Sequence, residues 1–323
     1  MYFLISFKII KNKQEGWVEM PVDYVVRNHF YSVFFAPRGR VRMYEIGIKI
    51  AQQYLTPTDR LIGVIGEPGS GKSMIIRGMF PGLELTNDDD GLNVRPLPIM
   101  DVDDEGFFSP HTYHIDIRFE SAFYQMYELV NAINKAIEYG RRVIVEHFEL
   151  IYPLMNKNAD LLIGVGGEII VTRPTIFGPE PGDIAKRVFH SISIRKMAHS
   201  AEDLVEHFLP EEIGFNCEHG DVLNGFLILF HSKPNFDIKI LEEEVNKMIE
   251  KDIPIQYYDE KHVKIGEYIH PCSGPRIHVE STAKIENFKL LSEFYYDSTK
   301  KVYMLVGLVG DSMEQSYKDL NKI

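Results

Sequence analysis

The chain is poor in cysteine, in long apolar runs and in positive charge, and each shortage closes off a class of protein. Cys217 and Cys272 are the two cysteines in 323 residues, too few for a disulfide framework, so a reducing compartment is expected. No stretch approaches the roughly 18 uninterrupted apolar residues of a membrane-crossing helix. Met1 to Ile10 lacks a basic leader and a small-residue cleavage site and runs into Lys11, Lys13 and Glu15, which predicts no signal peptide. Together these shortages predict a soluble, cytoplasmic protein. A net charge of −12, shared between both halves, argues against general DNA or RNA binding, because phosphate neutralisation depends on basic surface. Any RNA contact would have to be local. Internal repeats and low-complexity tracts are also missing.

The chain does have enough apolar residues, 45%, for real cores, and its length predicts about two domains. Residues 1–40 form an N-terminal segment of unclear role. Arg38, Arg40 and Arg42 make a small basic cluster at its end, read as solvated surface. Residues 41–184 read as one α/β unit and residues 185–323 as a second domain. In the first unit Arg42 to Leu55 has helical spacing, and Leu61 to Ile65 is a buried strand. Leu83 to Thr86 is a candidate second strand, Tyr113 to Ile117 another, and Phe119 to Tyr139 a helix ending at Gly140. Arg142 to His147, Leu161 to Val165 and Glu168 to Thr172 follow as strands. Strands alternating with helices predict a mainly parallel sheet with ligands at the carboxyl ends of its strands.

The sharpest signal follows the first of these strands. Gly66-Glu67-Pro68-Gly69-Ser70-Gly71-Lys72-Ser73 is a full match to GxxxxGK[ST], placed between an apolar strand and a short helical pattern beginning at Met74. A glycine-rich loop there aims successive backbone N–H groups at one point, where a phosphate chain can sit. Lys72 would neutralise the β and γ phosphates of ATP or GTP, and the Ser73 hydroxyl would help to hold Mg²⁺. Glu146 ends the strand Val143-Ile144-Val145, where a carboxylate can position metal or water near the γ phosphate. Asp88, with Asp89 and Asp90, is a candidate base for an acceptor hydroxyl.

This order of parts resembles the uridine kinase and phosphoribulokinase group of P-loop phosphotransferases over about residues 60–175, with GEPGSGKS, Asn87 to Asp90 and Val143 to Phe148 as the corresponding features. The resemblance implies an α/β P-loop NTPase domain. The arginine-rich lid of such kinases has no clear counterpart, since Thr172-Arg173-Pro174 offers one arginine; Arg173 is the candidate for stabilising transition-state charge.

A second resemblance covers about residues 187–308. Met197-Ala198-His199-Ser200-Ala201-Glu202-Asp203-Leu204-Val205, the helical pattern Ile240 to Pro254, and Cys272-Ser273-Gly274-Pro275-Arg276-Ile277-His278-Val279, followed by Ser281-Thr282-Ala283-Lys284-Ile285 and Phe288-Lys289-Leu290, occur in order. They look like the second additional domain of threonyl- and alanyl-tRNA synthetases, which removes mischarged amino acids from tRNA. The resemblance implies an α+β domain and a Zn²⁺ or water-activating cluster of His199, Asp203, Cys272 and His278. Asp203 stands where the family has a second histidine, and Arg276 and Ile277 are inserted before His278. His207 and His270 are reserve ligands. Three readings follow. A nucleotide hydrolase could be coupled to an editing-like domain acting on tRNA or an aminoacyl compound. The chain could instead be a small-molecule kinase with a recognition domain, or a nucleotide-dependent switch without catalysis.

Overall fold

The computed structural model describes residues 10–12, 16–18, 31–35, 39–86, 97–101, 111–210, 217–272 and 274–310. The first described elements pair as a small antiparallel ladder, β1 (Ile10–Asn12) and β2 (Gly16–Val18). A six-stranded mixed sheet is then built from β3 (Tyr31–Phe35), β4 (Leu61–Ile65), β5 (Thr112–Asp116), β6 (Arg142–Glu146), β7 (Leu161–Val165) and β8 (Glu168–Thr172). Its spatial order is β3-β8-β7-β4-β6-β5. The run β7-β4-β6-β5 is parallel, whereas β8 returns antiparallel to β7 and pairs antiparallel with β3.

All five residues of β4 are buried, as a strand must be when helices cover both faces of a parallel sheet. The period of two divides its side chains between two cores. Leu61 and Ile65 join one, with Leu129, Ile133 and Val188; Ile62 and Val64 join the other, with Ile46, Ile50, Ile75 and Ile76. The helices on this second face are α1 (Arg40–Tyr54) and α2 (Lys72–Met79). Their backbones nearly touch: a Cβ on Gly78 would lie 2.1 Å from the Tyr44 carbonyl, and one on Gly47 would lie 2.3 Å from that of Ile75. Glycine at both positions therefore fixes how closely α2, and the loop leading into it, sits on α1.

Two sequence expectations change here. Leu83 to Thr86 is not a strand; Thr86 meets β5 through its hydroxyl, which accepts from the Asp116 N–H at 3.2 Å, and through its own N–H, which bonds His114. The helix expected over Phe119 to Tyr139 is two helices, α3 (Ile117–Glu120) and α4 (Met126–Glu138). Gln125 and Glu128 form a capping box that restarts the chain as a separate helix. Beyond β6 comes one further turn, α5 (Phe148–Ile151).

A single helix, α6 (Pro181–Phe208), joins the two halves. The expected boundary at residues 184/185 falls in its first turn. Ile184 and Val188 pack into the sheet's core, and from Ile194 onward the helix packs into a second core with Phe226, Val245 and Leu305. Met197 to Val205 is buried on every side. That second core lies between α6, α7 (Ile238–Glu250) and an antiparallel sheet of β9 (Glu218–Val222), β10 (Gly225–Phe230), β14 (Lys289–Leu290), β15 (Tyr295–Asp297) and β16 (Val302–Leu308). A separate three-stranded antiparallel sheet holds β11 (Ile255–Asp259), β12 (His262–Ile265) and β13 (Tyr268–Pro271). Seven α-helices occur among the described residues, and no helix there is long and apolar enough to cross a membrane.

Candidate functional sites

The first site lies at the carboxyl end of β4. Gly66 to Ser73 leaves the strand, turns through Gly69 at φ 78° and Gly71 at φ 95°, and enters α2 at Lys72. These left-handed values suit glycine and strain a side chain. Lys72 is 5% exposed; its Nζ donates to the Glu67 carbonyl at 3.0 Å and lies 3.6 Å from Glu146 Oε2. The hydroxyl of Ser70 is buried with no hydrogen-bond partner among the described residues, an orphan at the centre of the turn.

Glu146 reaches the same point from the neighbouring strand β6 and is 1% exposed. His114, two residues before the end of β5, sits 3.0 Å from its Oε1. Because His114 Nδ1 accepts the Thr86 N–H at 3.1 Å, Nε2 carries the hydrogen donated to Glu146. Burial pushes the Glu146 carboxyl up, but the His114 hydrogen bond and the charge of Lys72 oppose it, and the group is held below its ordinary range. His147 then takes a left-handed φ of 56°, so the chain turns sharply at the strand's end.

Ser70, Lys72, Glu146 and His147 face a cleft of 680 Å³. Arg40, Lys72, Arg77, Arg118 and Arg276 border it, with Asp116 and Glu146 among the acids. The concentration of cations runs against the chain's acidic balance and suits an anionic ligand. Ser73 borders the cleft too. Asp116 ends β5 and caps α3 by accepting the Phe119 N–H at 3.1 Å.

Two of the sequence candidates are not brought to this cleft. Arg173 is at the opposite end of the sheet, because β8 runs antiparallel to β4. Its guanidinium makes a buried two-point pair with Asp59, at 2.7 and 2.8 Å, and bonds the carbonyls of Asp160 and Tyr54. A side chain so engaged a strand's length from the glycine-rich loop is structural, which corrects its expected catalytic role. Asp88, with Asp89 and Asp90, lies outside the described residues. His114, Asp116, Arg118 and Arg276 were missed by sequence reasoning. His114 and Asp116 did carry a signal: polar residues two apart on an otherwise apolar strand point to one face at its end.

The second site joins α6 to the segment after β13. Donor atoms of His199, Asp203, Cys272 and His278 all lie within 4.8 Å of one another. His199 Nε2 is 3.1 Å from Cys272 Sγ, and His278 Nε2 is 2.8 Å from Asp203 Oδ2. Each histidine is held from behind: His199 Nδ1 bonds Glu202 at 3.2 Å, and His278 Nδ1 bonds the Pro275 carbonyl at 3.3 Å. These outer contacts leave both Nε2 atoms aimed inward, as in metal sites whose histidines are oriented by carboxylates and carbonyls.

Burial pushes Asp203 up, but the His199 charge and the His278 hydrogen bond prevail and keep it ionised. Burial lowers His278, favouring neutral imidazole. Burial and the Asp203 charge push the Cys272 thiol up; a cation among the four donors would reverse that, since it binds thiolate. The set of one thiol, two imidazoles and a carboxylate matches the ligand types of a tetrahedral Zn²⁺ site. His270 approaches Asp203 at 4.0 Å and Glu206 at 3.5 Å, adjoining a second group of donors, Glu202, Glu206 and His219. His207 packs instead on the Tyr268 ring at 4.6 Å and is outside both groups.

A scan against protein-family models finds no match to this chain, and neither does a search of the curated proteins.

Proposed function

We propose that this chain binds ATP or GTP with Mg²⁺ on the loop Gly66 to Ser73 as a P-loop nucleotide hydrolase, and that the hydrolysis serves a C-terminal unit handling tRNA or an aminoacyl compound. The observation that carries the reading is the meeting of Lys72 and Glu146, delivered by a glycine-rich turn and by the end of an adjacent parallel strand, in a cleft rich in arginine. Main-chain N–H groups of the loop and the start of α2 would hold the phosphates. Lys72 would exchange the Glu67 carbonyl for a phosphate oxygen. Ser73 and Glu146 would hold Mg²⁺, which would supply neutralisation of the phosphate charge.

Glu146, kept ionised by His114, orients a water for attack on the γ phosphorus. The new P–O bond forms to that water, the bridge to the β phosphate breaks, and nucleoside diphosphate and inorganic phosphate leave. Arg118 and Arg276, at the cleft's edge, supply the positive charge that Arg173 does not. In the C-terminal unit the four-donor cluster would hold Zn²⁺ and so fix α6 and the segment after β13 around the part that handles the ligand. The motifs of residues 197–205 and 272–290, which resemble synthetase editing domains, support that half of the reading.

One observation favours a second reading. Asp116 faces the cleft at the end of β5, a position from which a carboxylate can accept a proton from an acceptor hydroxyl, so a small-molecule phosphotransferase is the alternative. Phosphate release from ATP and GTP, measured with and without deacylated and mischarged tRNA, separates the two. Release stimulated by tRNA and lost in Lys72→Ala supports the hydrolase. A phosphorylated small molecule, formed without free phosphate, supports the alternative.

A further inference from the structure

The segment from Cys272 to His278 belongs to both sites at once. Its two ends are donors of the four-residue cluster, and Gly274 to Ile277 border the cleft above the glycine-rich loop. The two come close: the Arg276 carbonyl lies 3.6 Å, and its Cβ 3.9 Å, from where a Cβ on Gly69 would stand. The cluster's side chains also grip the backbone just before the arginine. Cys272 Sγ accepts the Gly274 N–H at 3.3 Å, and His278 Nδ1 bonds the Pro275 carbonyl at 3.3 Å. Arg276 itself is exposed, with its guanidinium stacked 4.6 Å over the Tyr257 ring. That stack orients the charged head, and a phosphate chain on the loop below would offer it a stronger partner.

We propose that Arg276 is a triphosphate-contacting residue supplied by the C-terminal unit, and that the Cys272–His278 segment makes cation binding at the cluster and triphosphate binding at the glycine-rich loop mutually dependent. The proposal rests on the nucleotide reading given above. A cation that draws Cys272 and His278 together fixes both ends of the segment and so fixes Arg276 over the loop. By linkage, triphosphate must tighten the cation equally. Arg276 and Ile277, which border the cleft, are then the part of the segment that reaches the second site.

The test is the affinity of the full chain for a non-hydrolysable Mg·ATP or Mg·GTP analogue, by calorimetry, in zinc-loaded and chelator-stripped protein. Wild type, Arg276→Ala and Lys72→Ala are compared. Stripping is expected to weaken wild type about tenfold, within the usual range of coupling between sites. Arg276→Ala should bind more weakly when loaded and lose the dependence on zinc. Zinc affinity, read separately by competition with a chromophoric chelator, should rise with the analogue in wild type alone. Because Arg276 is exposed, the loaded variant decides the matter even where stripping disturbs folding. Arg276→Ala binding like wild type while Lys72→Ala fails, or equal wild-type affinities with and without zinc, overturns this proposal and leaves the nucleotide reading standing. Lys72→Ala binding as tightly as wild type, or no binding by wild type at all, removes both.

Discussion

Arg173 and Asp59 close the end of the sheet remote from the glycine-rich loop, and their chemistry sets an acid limit on the fold. Burial alone would raise the Asp59 carboxyl, but hydrogen bonds from Arg173 and the Thr56 N–H hold it below its ordinary 3.8. A carboxyl lowered in the folded state contributes stability that is complete above its unfolded value and is lost as pH falls through the folded one. Urea titrations below about pH 4 should therefore show this contribution fading, with wild type converging on Asp59→Asn. At neutral pH the variant leaves a buried guanidinium without its counter-charge and should lose about 3–5 kcal/mol; a loss under 1 kcal/mol would contradict the structural role. At the other end of the sheet Glu146 has the proposed role of orienting water and metal. Glu146→Gln should cut phosphate release by roughly 10²- to 10⁴-fold while the analogue still binds. Unchanged turnover would move that role elsewhere in the cleft, with Asp116 first in line.

Among the elements, α1 and α2 set where the loop stands. Gly78→Ala puts a methyl 2.1 Å from the Tyr44 carbonyl, so the helices must separate; overpacking of this kind costs about 1–3 kcal/mol. Thermal melts and analogue binding should fall together, because α2 begins at Lys72 itself. A variant that melts lower yet binds normally would show the loop to be independent of this packing. The same elements explain what the sequence disclosed. Residues 42–55 carry a clean helical period and form α1 at Arg40–Tyr54; β4 is one apolar run between turn signals and is buried throughout. Leu83 to Thr86 misled because its apolar alternation serves local packing while Thr86 is engaged by the His114 side chain of β5. Met197 to Val205 lacks a period because core surrounds it. The four-donor cluster was reached through the resemblance of residues 197–205 and 272–290 to synthetase editing domains, which sets His199 and Asp203 at the i, i+4 spacing of one helix face. The partners of His199, His278 and Glu146 were not, because Glu202, Pro275 and His114 acquire their roles only through tertiary contact.

At the scale of the whole molecule, α6 and the Cys272–His278 segment connect the two halves at different points. Lys196 on α6 adds a third, with its Nζ 2.7 Å from Glu67 in the glycine-rich loop. The loop is thus approached by residues from both halves, as the proposed coupling of hydrolysis to the C-terminal cluster requires. The central claim, that Gly66 to Ser73 receives a nucleoside triphosphate, has a direct test. Equilibrium binding of Mg·ATP and Mg·GTP to the zinc-loaded full chain is measured against Lys72→Ala, with circular dichroism confirming that both are folded. The account predicts saturable binding of at least one triphosphate by wild type and its loss in the variant. Equal binding by both, or none by folded wild type, would contradict it.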